Sequence, residues 1–453
     1  MNRKISLSVL VLFMLVFSFQ ASASSGIRNL LDRRDDSVPV EFSIQIEFKK
    51  LPQFSSERTE QLNKILKHVD FTGFVAETQS ELSVRLDREA LFTIAEEKKP
   101  DSQISILYSG LSDAYILPSE TGTRNHFSAA MEDLVLPVQS QIDHFLLLDD
   151  YASLFGKLPA VFPEKTKDTK IAEKYRNYGT AVKRTSLILS GEEVQSFIQE
   201  NSGRLSGCIY IPLINLHFQS RQTVSLYYTE DGSLIKIVYS GKSGLSEDDM
   251  RNVKLEWKTF RTETQDRDDI VLKTPNAGNT KRNNIILSSY RAISDQCAET
   301  LQWKEEKDYL SGGIRTRSLF SADLTLENSL FTGSLNRTDT VRNSSVSEEI
   351  FFSCSAAENA FRNGILEINH KKDKIERDCL TVSFDFSSKG VPVVSDSRPE
   401  MKTLTEKEYK EMLQSVFSGV LKKLLMLPEE DLGFLKDGIP DDLWNTVPIN
   451  GKN

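Results

Sequence analysis

The stretch TVSLYYTEDGSLIKIVY, residues 223–239, decides how the chain is read. Thr223 to Tyr228 and Leu234 to Tyr239 are rich in β-branched and aromatic residues, and Asp231-Gly232 between them tolerates the positive φ that a tight hairpin turn requires. Working outward, Asn252 to Phe260 puts Val253, Leu255 and Trp257 on one face and Lys254, Glu256 and Lys258 on the other. That period of two marks strands with one buried face. Upstream, Val40, Phe42, Ile44 and Ile46 alternate with Glu41, Ser43, Gln45 and Glu47. The same alternation runs, with interruptions, as far as Phe386.

Short helices punctuate the strands. Ser55 is a candidate N-cap for a helix carrying Leu62, Ile65, Leu66 and Val69, and Ser190-Gly191-Glu192-Glu193 reads as a capping box that turns Val194, Phe197 and Ile198 inward. Strand, helix and meander therefore recur, and residues 37–158 and 172–294 are expected to be two related units. Pro163 to Lys174 reads as a charged linker between them. A strand-rich segment follows at 295–390, in which Asn336 to Ser347 is polar enough to be expected as a loop. The last part, 400–447, is expected to hold an amphipathic helix from Thr405 to Leu425, its apolar face lying on a sheet of the same chain. The predicted fold class is α+β: predominantly antiparallel β meanders with covering helices.

The first residues give the destination. Arg3 and Lys4 precede an apolar run from Ile5 to Phe19, which is shorter than the roughly 20 residues a spanning helix needs, and Ala21-Ser22-Ala23 supplies small residues at both peptidase positions. Residues 1–23 are read as a signal peptide cleaved after Ala23, with Ala21 and Ala23 as the recognition pair, so the expected location is extracytoplasmic, secreted or associated with the cell envelope. Removing 23 of 453 residues, two of them cationic and none acidic, leaves 430 residues and moves the formal charge from -9 to -11. Such a balance disfavours nucleic acid and anionic membrane as partners, and membrane contact is expected only through the signal segment before cleavage. The mature chain keeps Cys208, Cys297, Cys354 and Cys379. Cys354 and Cys379 fall on neighbouring predicted strands and are the expected disulfide, with four buried thiols as the alternative.

Catalytic signatures are near misses. Gly241-Lys242-Ser243 lacks the glycine that would make it the end of a phosphate loop, Lys236 standing there instead. Ser233 and Lys236 have nucleophile-motif spacing, but a strand throws residues three apart to opposite faces. Asp266, Asp268 and Asp269 gather carboxylates, read here as a solvated turn rather than a calcium loop. The five histidines have no metal-ligand spacing. No catalytic residue, metal or cofactor is predicted.

Arg251-Asn252-Val253-Lys254-Leu255-Glu256-Trp257, Asp268-Asp269-Ile270-Val271-Leu272-Lys273-Thr274-Pro275 and Arg282-Asn283-Asn284 resemble uncharacterised exported proteins of anaerobic Gram-positive bacteria, a family that implies no activity. A helix set against a long antiparallel meander is also similar, over 37–294, to the lipoprotein-carrier half-barrels of the LolA and LppX kind. That topology implies a concave apolar face holding acyl chains under helical lids. The expected function is thus an exported, non-enzymatic protein binding an apolar ligand or an envelope partner. A structural or adhesive surface protein is the alternative, and a hydrolase with an unrecognised site comes third.

Overall fold

The computed structural model describes residues 27, 40–51, 54–75, 79–99, 102–109, 113–116, 148–201, 217–244, 250–274, 281–294, 298–311, 314–357, 360–387, 402–403 and 419–433. The signal residues Ala21 and Ala23, together with Cys208 and Cys297, lie outside them. Instead of an α+β fold, the described chain is mainly strand. One 20-stranded sheet contains every strand, and helices are few and short.

The strands are β1 (Val40–Lys50), β2 (Val69–Val75), β3 (Gln79–Leu86), β4 (Glu89–Lys99), β5 (Ser102–Ser109), β6 (Asp113–Ile116), β7 (Thr166–Tyr175), β8 (Gly179–Leu189), β9 (His217–Tyr228), β10 (Leu234–Gly244), β11 (Arg251–Arg261), β12 (Gln265–Thr274), β13 (Lys281–Ile293), β14 (Glu299–Ser311), β15 (Ile314–Glu327), β16 (Leu330–Val341), β17 (Ser344–Ala357), β18 (Ala360–Lys372), β19 (Ile375–Ser387) and β20 (Lys402–Thr403). The helices are α1 (Ser56–Leu66), α2 (Leu148–Val161) and α3 (Gly191–Asn201).

From β7 to β19 each strand pairs antiparallel with the next. β19 then pairs with β1 in a register that sets Phe42 opposite Phe386 and Ile44 opposite Phe384. The sheet continues through β2 to β6, and β20 adds a short parallel strand beside β6. No pairing joins β7 to β20 among the described residues, and within them hydrogen bonds do not close the sheet into a ring. The expected division near 294–295 falls between paired strands β13 and β14, whereas that near 158–172 falls between β6 and β7, which no pairing joins among the described residues. In each half one helix crosses between two adjacent antiparallel strands, α1 between β1 and β2 and α3 between β8 and β9.

The caps form as the sequence dictates. The Arg58 amide donates to Ser55 Oγ at 3.2 Å, the Ser190 amide to Glu193 Oε2 at 2.8 Å, and the Glu193 amide to Ser190 Oγ at 3.2 Å. Gly232 takes φ +84° in the Asp231-Gly232 turn.

Other expectations are corrected. Pro163 to Lys174 is not a linker but a single 3-10 turn followed by edge strand β7. Residues 336–341 and 344–347 are strand, in β16 and β17, joined by a two-residue turn; Ser, Thr and Asn side chains populate their solvent face. Gly241-Lys242-Ser243 lies within β10. Cys354 and Cys379 are free and buried. Cys354 stands opposite Gly364 and Cys379 opposite Asn369 on β18, on opposite faces of the sheet. Five residues of strand separate these levels by about 16 Å, far beyond the roughly 7 Å limit for bridged Cα atoms. Burial pushes the Cys354 thiol up to about 12, which leaves it inert.

The two faces of the sheet differ sharply. One is apolar and buried from β8 to β19 and on into β1: Leu187, Leu226, Ile237, Leu255, Ile270, Leu287, Leu301, Phe320, Phe331, Ile350, Ile368, Val382 and Ile44 join one core. Helix α2 contributes Leu148, Tyr151, Leu154, Phe155 and Leu158 to it, and α3 contributes Val194, Phe197 and Ile198. On β2 to β4 the same face is covered by the C-terminal segment 419–432, where Leu427 and Leu432 pack with Ile65, Val69, Val84, Leu86 and Leu91. That segment is fixed by Asp431, which meets His68 Nε2 at 3.1 Å, and by Lys423, which donates to the Ala90 carbonyl at 3.1 Å. The opposite face carries exposed Lys254, Glu256, Gln302, Lys304, Asp323, Ser383, Asp385, Ser43 and Glu47.

Candidate ligand groove

The acidic cluster of β12 is not a solvated turn. Asp268 points into the core between β11 and β13, where it is 1 % exposed. Trp257 Nε1 donates to its Oδ1 at 2.8 Å, Arg261 Nη2 to both oxygens at 3.0 and 2.8 Å, and Ser289 Oγ to Oδ2 at 3.2 Å. Burial pushes the Asp268 carboxyl up while Arg261 pulls against it. Its lone pairs are occupied, so its work is structural. One step toward the strand ends, Arg291 Nη1 meets Asp266 Oδ2 at 3.1 Å and Arg291 Nε meets Glu299. The Ile27 amide donates to Glu299 Oε2 at 2.7 Å, which ties the first described residue to the sheet. Asp269 faces the other way and accepts from Tyr178 Oη at 2.5 Å. Sequence spacing shows three acids close together; only the folded structure shows which partner each one meets.

This polar cluster borders a groove. Beside α2, at the β9–β10 and β11–β12 hairpin ends, lies a cavity of about 970 Å³. Leu234, Ile235 and Phe260 give it apolar surface, and Lys157, Arg261 and Asp266 give it charge. A second cavity of about 530 Å³ lies against Pro159, Ala160, Tyr228 and Lys183. Gly156 of α2 lines both. A Cβ built there meets no atom within 4 Å, so neither packing nor strain demands glycine. Glycine inside a helix costs about 0.5–1 kcal/mol relative to alanine. Gly156→Ala is therefore expected to raise stability by about that amount, measured by urea unfolding; a loss would show that this side of α2 is packed.

A second polar group lies on the same buried face at the opposite strand ends. Register sets Glu305, Phe320, Arg337, Glu348, His370 and Asp378 in one row across β14 to β19. Glu305 and Lys307 are 2.8 Å apart, and burial pushes the acid up to about 8 and the amine down to about 8. Arg337 nearby pulls the acid back down and pushes the amine further down. His370 bonds Asp378 through Nδ1 and lies 3.6 Å from Glu348. Burial works against its charge, but these two acids prevail and hold it up at about 9.

A histidine raised in the folded state adds stability that is complete below its unfolded value of about 6.5. That stability is lost as pH rises through the folded value. The gap between wild type and His370→Gln should therefore shrink by about 3 kcal/mol between about pH 6 and pH 10. Urea melts across that range check it, and a constant gap would contradict the assignment.

Comparison with known proteins adds little. No family model matches the chain, and no curated protein does. Among solved structures, OmpT of Vibrio cholerae, an outer membrane protein, matches at 8% identity, covering 77% of this chain and 97% of that one, with a TM-score of 0.24. Pseudomonas aeruginosa OpdQ matches at 5% identity over 77% and 95%, also at 0.24. A BenF-like porin from Pseudomonas fluorescens Pf-5 matches at 6% identity over 77% and 97%, at 0.17. Superpositions this loose carry no argument, and the chemistry of the two faces must serve instead.

Proposed function

We propose that this is an extracytoplasmic binding protein that works in water and holds an amphipathic ligand in the groove beside α2. The leader, with its Ala21-Ser22-Ala23 site, supports the address. The polarity of the sheet supports the solvent. A membrane-spanning barrel needs an outward apolar band, and a Lys or Arg at mid-membrane costs about 2–4 kcal/mol there. Here the outward face offers Lys254, Lys304, Asp323 and Asp385, while the apolar face lies under helices and core.

The observation that carries the ligand is the groove itself, about 970 Å³ with aliphatic and aromatic walls and Lys157 within reach. That volume suits a small molecule with an apolar body and an anionic end. Its test is native mass spectrometry of protein purified from an exporting host, beside Gly156→Trp, which fills the groove from a position with open space. The expected result is a non-covalent adduct on wild type and none on the variant at equal stability. Adduct retained by the variant would move the ligand elsewhere, and bare polypeptide from both would sink the reading in favour of an adhesive surface protein.

A further inference from the structure

We infer that the β14–β15, β16–β17 and β18–β19 hairpin tips form a docking surface for an anionic lipid membrane. This inference stands independently of the groove. Core-face aliphatics elsewhere on these strands are buried or, at Leu326 and Leu335, partly buried, but Ile314, Val341, Val346 and Ile375 are exposed at 39%, 46%, 52% and 62%. All four lie on the apolar face, at the same strand ends, beyond the row from Glu305 to Asp378. That row separates them from the core, so they are not its frayed margin.

Cations accompany them. Arg342, Lys372, Lys374 and Arg377 are exposed, and among the described residues none lies within ion-pair distance of a carboxylate. The acids nearby are engaged. Asp373 accepts from Ser344 Oγ at 3.1 Å and from the Ser345 amide at 2.8 Å, Glu376 takes Lys50 at 3.2 Å, and Asp308 takes Arg315 Nε at 2.8 Å. Lys372 and Arg377 also help hold the Asp373 carboxyl down, yet the tips keep an excess of exposed cations. Aliphatic tips flanked by such cations fit a lipid interface, where apolar side chains enter the acyl boundary and lysines meet headgroups. The mature chain's overall charge of -11, from -9 less the two leader cations, does not forbid this, because carboxylates more than about 8–10 Å away are screened at physiological salt.

The test is co-sedimentation of the mature full-length protein with vesicles of phosphatidylcholine alone and of phosphatidylcholine mixed with phosphatidylglycerol. Binding is expected to the mixed vesicles only. Lys372→Ala with Lys374→Ala should weaken it about 30-fold, at about 1 kcal/mol per cation near an anionic surface. Ile314→Ser with Ile375→Ser should weaken it as well, and a control Lys304→Ala on the outer face should not. All four positions are exposed, and unchanged thermal melts show that the variants fold. Binding of wild type to neither vesicle, equal binding to both, or equal loss in the Lys304→Ala control would overturn the inference. Tip-dependent capture of a protein with no affinity for vesicles would overturn it too.

Discussion

Asp268→Ala is expected to destabilise the chain by about 3–5 kcal/mol, because it strands a partly buried guanidinium that the carboxylate now neutralises. Arg261 keeps the Phe260 and Arg267 carbonyls, at 3.0 and 3.2 Å from Nη1, which are neutral acceptors. Trp257 Nε1 and Ser289 Oγ lose an acceptor in the core. The loss reports the orphaned partners rather than the worth of the pair, and a second variant separates the two. Replacing Asp268 by Leu together with Arg261 by Met removes both charges and should recover most of the stability. Urea unfolding reads both variants; a loss below about 1 kcal/mol for Asp268→Ala would mean that the network is solvated and does not hold the sheet.

The second large effect is expected at Trp257, which is fully buried and joins three structures at once. Its ring meets Phe155 of α2 edge-on with centroids 6.5 Å apart, and its indole N–H caps Asp268. Truncation to Ala should cost about 3–5 kcal/mol. Trp257→Phe keeps a ring but drops the N–H, for about 1–3 kcal/mol. If the Phe155 contact anchors α2, hydrogen exchange in α2 should speed up more in Trp257→Ala than in Trp257→Phe. Equal acceleration in both would leave α2 held by Leu148, Tyr151, Leu154 and Leu158 without the tryptophan. Trp257→Phe and Asp268→Ala share a bond, so their costs should not add.

Much of the local structure is legible in the sequence because it is written within a few residues. The alternation of Val253, Leu255 and Trp257 with Lys254 and Glu256 gives strand and face together, and Ser190 with Glu193 gives a helix start. The pairing of β1 with β19 leaves no such trace. Those strands are more than 300 residues apart, and period two identifies a strand without naming its neighbour. Two recurring strand-helix-meander patterns therefore read as separate units of an α+β fold, although they lie in one sheet.

Polar segments mislead for a related reason. Residues 336–347 look like a loop because one face of β16 and β17 is Ser, Thr and Asn, and the other face there carries Arg337, Asp339 and Glu348 in a charged row. Asp266 and Asp268 read as solvated because their partners Arg291 and Arg261 come from flanking strands. A clue was present in Arg261 and Arg291, which stand in apolar alternations at strand ends. The Cys354–Cys379 bridge failed on parity and register, since the two cysteines lie on opposite faces and at different levels.

The central claim is that the polar face meets water and the apolar face is enclosed, so the folded chain lives outside the bilayer. Residues 24–453, purified without detergent, test it most directly by size-exclusion chromatography with light scattering. The account predicts a soluble, monodisperse species of cooperative stability. Extraction only with detergent, or aggregation that detergent reverses, would contradict it.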